Sequence, residues 1–170
     1  KQDKVMVIET PDIYKKITLP FIVENSSQER LQWVYNILDH GGESEKIIFK
    51  DDNPNTGFYL TPDTKWDGQN VSSLYLLAIC KRKDIRSVRD LSGIHLELLK
   101  RMQLEIPYCV EKEFGLSACK LRLFVHYQPS YYHFHVHVLN IDNDSAFGTA
   151  VGQAILLNDI IDGIESFGSD

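Results

Sequence analysis

Three histidines at alternate positions, His133, His135 and His137 in the run YYHFHVHVLN, commit this part of the chain to a strand more firmly than any other feature. Side chains on a strand point to opposite faces in turn, so residues i, i+2 and i+4 share a face at steps of about 7 Å. A helix would turn the middle imidazole away from its neighbours. Phe134, Val136 and Val138 occupy the alternate positions, which suits a strand packed on a core on one side and open to a site on the other. Imidazole titrates near neutrality and serves as nucleophile, acid, base or metal ligand. Three readings follow from the pattern alone: phosphate chemistry, a zinc site using a His-x-His pair, or a solvated and inert strand. A structural zinc would need a further ligand, for which Asp142 and Asp144 are the nearby candidates.

The remaining pattern predicts what surrounds that strand. With 170 residues and 43% apolar content, the chain can bury one core, which favours a single main domain. Residues 1–25 mix short apolar runs with Pro11 and Pro20 and read as a strand or linker arriving from elsewhere. Ser26-x-x-Glu29 resembles a capping box, and Leu31, Val34, Tyr35 and Leu38 keep helical spacing until Gly41-Gly42. KIIFK, FYLTP and SLYLLAIC read as antiparallel strands separated by turn residues. From Ser92 to Phe114, Ile94, Leu98, Met102 and Ile106 mark a second helix that Pro107 should kink or break, with Gly115 as its stop. CKLRLFVHYQ and YYHFHVHVLN form two strands joined at Pro129-Ser130, and SAFGTAVGQAILLNDIIDGIES a last helix. The expectation is an α+β fold, an antiparallel β-sheet flanked by α-helices.

Composition narrows the setting. Cys80, Cys109 and Cys119 are odd in number and lack C-x-x-C spacing, which argues against a disulfide framework and for a reducing compartment. No apolar run approaches a membrane span, and the start lacks the apolar core of a signal peptide. A net charge of −6 disfavours adhesion to long nucleic acid, while a local basic pocket could still hold a small nucleotide. The basic run Lys81-Arg82-Lys83-Asp84-Ile85-Arg86 with Arg89 reads as a mostly solvated loop, some of whose arginines anchor it, rather than an RNA patch.

His-x-His-x-His with apolar residues between and after it resembles the motif of the histidine-triad superfamily of nucleotide hydrolases and transferases. QWVYNIL at 32–38, GFYLTPDTKW, AICKRKDIRSVRDL and HYQPSYYHFHVH together resemble the scavenger mRNA decapping enzyme family, from about Gln32 to Asn140. That resemblance implies a histidine-triad-like fold and hydrolysis of the triphosphate bridge of short 7-methylguanosine-capped fragments, releasing 7-methyl-GMP and a nucleoside diphosphate. It makes His135 the nucleophile of a covalent nucleotidyl-histidine intermediate. His137 would assist at a phosphate oxygen, and His133 would hold the nucleophile's tautomer or contact its backbone. His126, Ser130 and Tyr131 would face the phosphates. The family's base site maps onto Trp33 for stacking and Glu43 for base reading, with the Pro62 carbonyl on the base, Asp63 on the ribose hydroxyls and Lys65 on the phosphate bridge. A cationic methylated base suits an aromatic face and a carboxylate. The residue types alone leave another account open: Trp33 as a core residue, and Glu43 and Asp63 as solvated turn residues.

The chain departs from the family at Thr64, where relatives offer a larger apolar residue to the base, and at Gln153, near where relatives can carry a basic residue. The family normally has a separate amino-terminal domain that swaps between subunits and closes over the cap; the expectation here is that this domain is missing, with 1–25 a linker or strand from it and 26–170 the catalytic domain, its carboxyl end truncated. The resemblance further implies no metal or cofactor, a homodimer in the full-length protein, a cytoplasmic and nuclear location, and a capped dinucleotide or short capped RNA as partner. Two rivals remain: a cap-binding regulatory module with little turnover, and a general histidine-triad nucleotide hydrolase or phosphoramidase, which would have no use for Trp33 and Glu43.

Overall fold

In the computed structural model, residues 5–40, 46–144, 146 and 148–168 are described. Six strands form one antiparallel sheet: β1 (Phe49–Lys50), β2 (Phe58–Pro62), β3 (Tyr75–Cys80), β4 (Leu121–His126), β5 (His135–Asn140) and β6 (Ala154–Leu156). Their spatial order is β1-β2-β3-β5-β4-β6, so the histidine-bearing strand lies between two partners at the centre of the sheet. Register places Leu77 and Phe124 on either side of His137, and Ile79 beside His135. Odd-numbered residues of β3 and β5 therefore share the face that carries the imidazoles, and Ala78, Val136 and Val138 share the other.

The expected α+β architecture is present, with helices α1 (Pro11–Ile13), α2 (Leu19–Asn25), α3 (Gln28–His40), α4 (Leu96–Phe114) and α5 (Leu157–Phe167) around the sheet. Residues 11–25, read from the sequence as part of a strand or linker, are helical: α1 runs through a π-helical turn at Tyr14–Thr18 into α2. Pro11 sits in the first turn of α1, after the extended Thr10, where the missing N–H costs nothing. Thr10 caps the first turn through its hydroxyl. Ser26 does not open α3. Its hydroxyl donates back to the Ile22 carbonyl and ends α2, while the Ser27 carbonyl receives the first bond of α3, from Leu31.

Pro107 does not break its helix, and the last helix starts late, each for an identifiable reason. α4 runs unbroken through Pro107, because Leu98, Leu99, Met102, Ile106 and Val110 bury one stripe on both sides of it. The bond lost is only the one to the Gln103 carbonyl, on a half-exposed side of the helix. The last helix starts at Leu157, much later than its apolar pattern suggested. Gly148 and Gly152, with φ of +87° and +91°, hold the preceding segment in turns, and β6 then adds an edge strand to β4. Gly41-Gly42, the expected stop of α3, lies outside the described residues.

The basic run after β3 is a web of ion pairs. Lys81 reaches Asp39 and Asp52, Lys83 pairs with Asp39, Arg82 with Asp84, Arg86 with Asp90, and Arg89 with Glu9. These pairs tie the segment to α3 and to the amino-terminal strand of chain before α1, so its charge is already matched and unsuited to RNA.

If the buried stripe holds α4 together across Pro107, Ile106→Ala should destabilise the fold by about 2–5 kcal/mol. Leu104→Ala, on the exposed face at 73% accessibility, should stay within about 0.5 kcal/mol. Denaturant unfolding of the two variants checks the contrast.

Candidate active site

The centre of the site follows from what surrounds β5. His135, at its first residue, is buried, and its Nδ1 lies 2.7 Å from the backbone carbonyl of His133. A carbonyl only accepts, so Nδ1 carries the proton and Nε2 of the neutral ring carries the lone pair. That Nε2 is buried without a hydrogen-bond partner. Burial is also the main reason that the His135 pKa is pushed down to about 4, with His133, His126 and Lys65 adding like-charge terms. The ring is neutral at neutral pH.

His137 is oriented by a side chain. Its Nδ1 is 2.9 Å from the Tyr75 hydroxyl, and its Nε2 is likewise buried and unpartnered. Burial holds the Tyr75 phenol well above its usual range and the His137 imidazole well below. A phenol that keeps its proton can donate it to Nδ1, which leaves Nε2 as an N–H aimed away from Tyr75.

The third imidazole of the cluster is His126, at the end of β4, with its ring centroid 4.0 Å from that of His137. Its Nε2 donates to the Gly148 carbonyl at 3.0 Å. A Cβ on Gly148 would fall 2.3 Å from this Nε2, and the backbone there has positive φ, so only glycine fits on both counts. His133 corrects the simplest picture of three imidazoles on one strand face. It precedes β5, and its Nε2 donates to the Cys80 carbonyl at 2.8 Å beside the Tyr35 ring. Its backbone, not its ring, touches His135.

Two clefts open from the cluster. One, of about 290 Å³, is lined by Asp63, Lys65, His126, Ser130, His137 and Gln153, among others. The second, of about 380 Å³, runs between α3 and the end of β2, where Trp33, Pro62, Asp63, Thr64, Lys65 and Tyr131 line it. Trp33 is 44% exposed, which overturns its reading as a core residue. Asp63 is buried, and its Oδ1 accepts the Lys65 amide at 2.8 Å, so it is not a solvated turn residue either. This local turn projects Lys65 towards the Tyr75 ring, 5.2 Å from its centroid. Tyr131 divides the two clefts. Its ring stacks on His135 with centroids 4.0 Å apart and planes at 13°, and meets Trp33 edge-on at 4.8 Å.

The structure thus gathers His126, His137, Lys65, Asp63, Pro62, Ser130, Tyr131 and Trp33 along two clefts that share Asp63, Lys65, Ser130 and Tyr131, with His135 buried beneath the Tyr131 ring. His133 stands behind it, and Glu43 lies outside the described residues. Gln153 does line the phosphate-sized cleft. Thr64 lines the cleft beside Trp33, together with Ile37, Leu77 and Ile79. Sequence reasoning missed Tyr75 and Gly148. Tyr75 is found only through register, since it sits two positions from the partner of His137 on β3. Chemically, the cavity offers a desolvated imidazole lone pair, an ammonium and hydrogen-bond donors, a set suited to a polyanion. Among the described residues, no group of three or more His, Cys, Asp or Glu side chains is arranged to hold a metal ion.

Two outcomes follow from this geometry. Gly148→Ala should displace His126 and lower the melting temperature, and the loss of the His126 contact is visible in imidazole NMR shifts. Because His135 is held neutral when folded but titrates near 6.5 when unfolded, its contribution to stability is complete above pH 6.5 and is lost as pH falls towards 4. The loss from this residue is about 3 kcal/mol between those limits. Between pH 7 and 4.5 the parent chain should lose about 2 kcal/mol more stability than His135→Asn does, read by unfolding titrations at the two pH values.

Residues 32–152 match the family described as scavenger mRNA decapping enzyme, C-terminal binding. The chain is 48% identical over 161 residues to the m7GpppX diphosphatase of Schizosaccharomyces pombe, covering 95% of this chain and 53% of that protein. It is 41% identical to the m7GpppX diphosphatases of Caenorhabditis elegans and Homo sapiens, covering 97% of this chain and 52% and 48% of theirs. The chain spans about half the length of these curated relatives. With that match over most of its residues, the chain belongs to the scavenger mRNA decapping enzyme C-terminal family.

Proposed function

We propose that this chain carries the catalytic site of an m7GpppX diphosphatase, which hydrolyses the triphosphate bridge of short 7-methylguanosine-capped fragments. The observation that carries this reading is the His135 ring, held by the His133 carbonyl with its Nε2 buried and unpartnered beneath Tyr131, whose ring lines the cleft that holds Trp33. The relatives' shared name, m7GpppX diphosphatase, supports the same reaction.

In the proposed first step the Nε2 lone pair of His135 attacks the phosphorus next to 7-methylguanosine. The bond from that phosphorus to the bridging oxygen breaks, and the nucleoside diphosphate leaves with the electron pair. The ring, now bonded through Nε2 and still protonated at Nδ1, is cationic, and the His133 carbonyl at 2.7 Å stabilises it. In the second step water attacks the same phosphorus, gives up a proton to solvent, and expels neutral imidazole with 7-methyl-GMP. His137 contributes an Nε2–H hydrogen bond to a phosphate oxygen. His126, Ser130, Tyr131 and Lys65 offset the remaining charge, and His133 acts through its backbone. Charge on the bridge is met by these groups and the cationic base, so the proposed mechanism calls for no metal.

Trp33 is assigned to the methylated base, whose positive charge an exposed aromatic face attracts. The Pro62 carbonyl and Glu43 read the base edge, and Asp63 the ribose. With Thr64 in place of a larger apolar side chain, Ile37 in the same cleft adds apolar surface beside the base. In the full-length protein the unit is expected to act as a homodimer on capped dinucleotides and short capped RNA.

Cap dinucleotides with and without the N7 methyl group, incubated in chelator, test the reading. The chain should turn over the methylated form, and His135→Asn should lose at least 10³-fold in rate, an order of magnitude set by removing a nucleophile (~10³ or more). Trp33→Ala should weaken binding of 7-methyl-GMP by about 1–3 kcal/mol, read by titration calorimetry. Equal cleavage of both dinucleotides would point to a general nucleotide hydrolase, and binding without turnover to a regulatory module.

A further inference from the structure

The ammonium of Lys81 sits where α3, the turn after β1 and the end of β3 meet, and it lines neither the phosphate-sized cleft nor the base cleft. Its backbone N–H donates to the Gly57 carbonyl at 2.9 Å, which fixes the residue as the chain leaves β3. Its Nζ donates to the Leu38 carbonyl in the last turn of α3 and lies 3.6 Å from Asp39 Oδ1 and 3.4 Å from Asp52 Oδ1, above the Tyr59 ring. The Tyr59 hydroxyl lies against two of the same acceptors, the Leu38 carbonyl at 3.3 Å and the Asp52 carboxylate. Lys50 and Lys83 pair with the other oxygens of Asp52 and Asp39, but their side chains are 50% and 49% exposed against 19% for Lys81. An exposed ion pair contributes little. This junction differs because it ends a helix, whose last carbonyls lack intrahelical donors and form its negative pole. A helix end and two carboxylates therefore converge, and Lys81 touches all of them, whereas Lys50 and Lys83 each touch one carboxylate.

What α3 carries gives the anchor its work. Tyr59, Ile79 and His135 stand in register across β2, β3 and β5, so the Tyr59 hydroxyl and Lys81 together pin the end of α3 over the face that carries the imidazoles. Trp33 and Ile37, both on that helix, line the base cleft with Ile79. Glu43 follows the last residue of α3 by three positions in the sequence. The neighbouring residue, Cys80, serves the catalytic side: its carbonyl accepts from His133 Nε2, and the His133 carbonyl holds His135. Cys80 does so through its backbone, so removing the Lys81 side chain releases α3 and leaves the His135 tautomer in place.

We propose that Lys81 is a positioning residue for base selectivity, locking the carboxyl end of α3 to the sheet and so fixing Trp33 and the point from which the chain runs on to Glu43. The proposal rests on the cap-hydrolase reading, and it adds a residue outside both clefts that sets how strictly the methylated base is chosen. Binding of phosphate is independent of it, because Lys65, His126 and His137 are held by contacts to Asp63, Gly148 and Tyr75.

Titrations of 7-methyl-GMP, GMP and inorganic pyrophosphate into the parent chain and its variants test it. In the parent, 7-methyl-GMP should bind more tightly than GMP. Lys81→Met should cut that preference by roughly tenfold, the order of one lost stacking contact, and leave pyrophosphate affinity unchanged. Lys81→Arg, whose guanidinium can donate to the carbonyl and the carboxylates together, should keep most of the preference. Tyr59→Phe removes one hydroxyl from the same junction and should lower the preference by a smaller factor, which keeps the test open if Lys81→Met does not fold. Lys100→Met, which breaks an exposed pair between α4 and α5, should change none of the affinities. Partial unfolding lowers the amount of binding protein for all ligands alike, so the ratio of dissociation constants separates positioning from stability. An unchanged ratio in folded Lys81→Met or, should that variant not fold, in Tyr59→Phe, with the parent still preferring 7-methyl-GMP, overturns this role alone. A parent that binds 7-methyl-GMP and GMP equally overturns the cap reading and this inference with it.

Discussion

The contact between His135 Nδ1 and the carbonyl of His133 is the constraint on which the site depends. It comes from a residue two positions earlier in the same strand approach, so it forms as soon as the chain takes up its extended path between β3 and β4. A backbone acceptor cannot switch roles, and it therefore fixes the tautomer at any pH where the ring is neutral. Burial then keeps the ring neutral. Desolvation disfavours a charged imidazole in the resting protein, yet the same carbonyl is in place to stabilise the charge that would develop in the proposed attack on phosphorus.

Around that contact the other groups divide between holding and binding. The rings of His126 and His133 are tied to the Gly148 and Cys80 carbonyls, while Tyr75 orients His137. Lys65 and Ser130 stay exposed in the cavity. Tyr131 joins the two halves of the problem. It touches Trp33 with one contact and covers His135 with another, so a base bound against Trp33 and a phosphate brought to His135 both act on the same side chain. In the proposed reading, base recognition and chemistry share a wall, a physical route by which the correct base would favour reaction.

The central strands were legible because their signals are local. Alternation marked β5, whereas Asp63, Lys65 and Trp33 were placed through the family resemblance, since the residue types alone left Trp33 open as a core residue and Asp63 as a solvated turn residue. What escaped depends on partners distant in sequence. The ring of His133 is held by the Cys80 carbonyl, 53 residues away, and lines neither cleft. Tyr75 reaches His137 across 62 residues. The apolar pattern before Leu157 looked helical until two positive-φ glycines and pairing with β4 pulled part of it into the sheet. Pro107 was read by its local cost alone, whereas the buried stripe of α4 outweighs one lost bond.

The tautomer of His135 is the most direct test of the whole account, and ¹⁵N–¹H correlation spectra of the histidine side chains, recorded from pH 5 to 8, read it. The structure predicts a proton on Nδ1 and none on Nε2 throughout that range. A proton on Nε2, or conversion of this ring to imidazolium near pH 6.5, would contradict it.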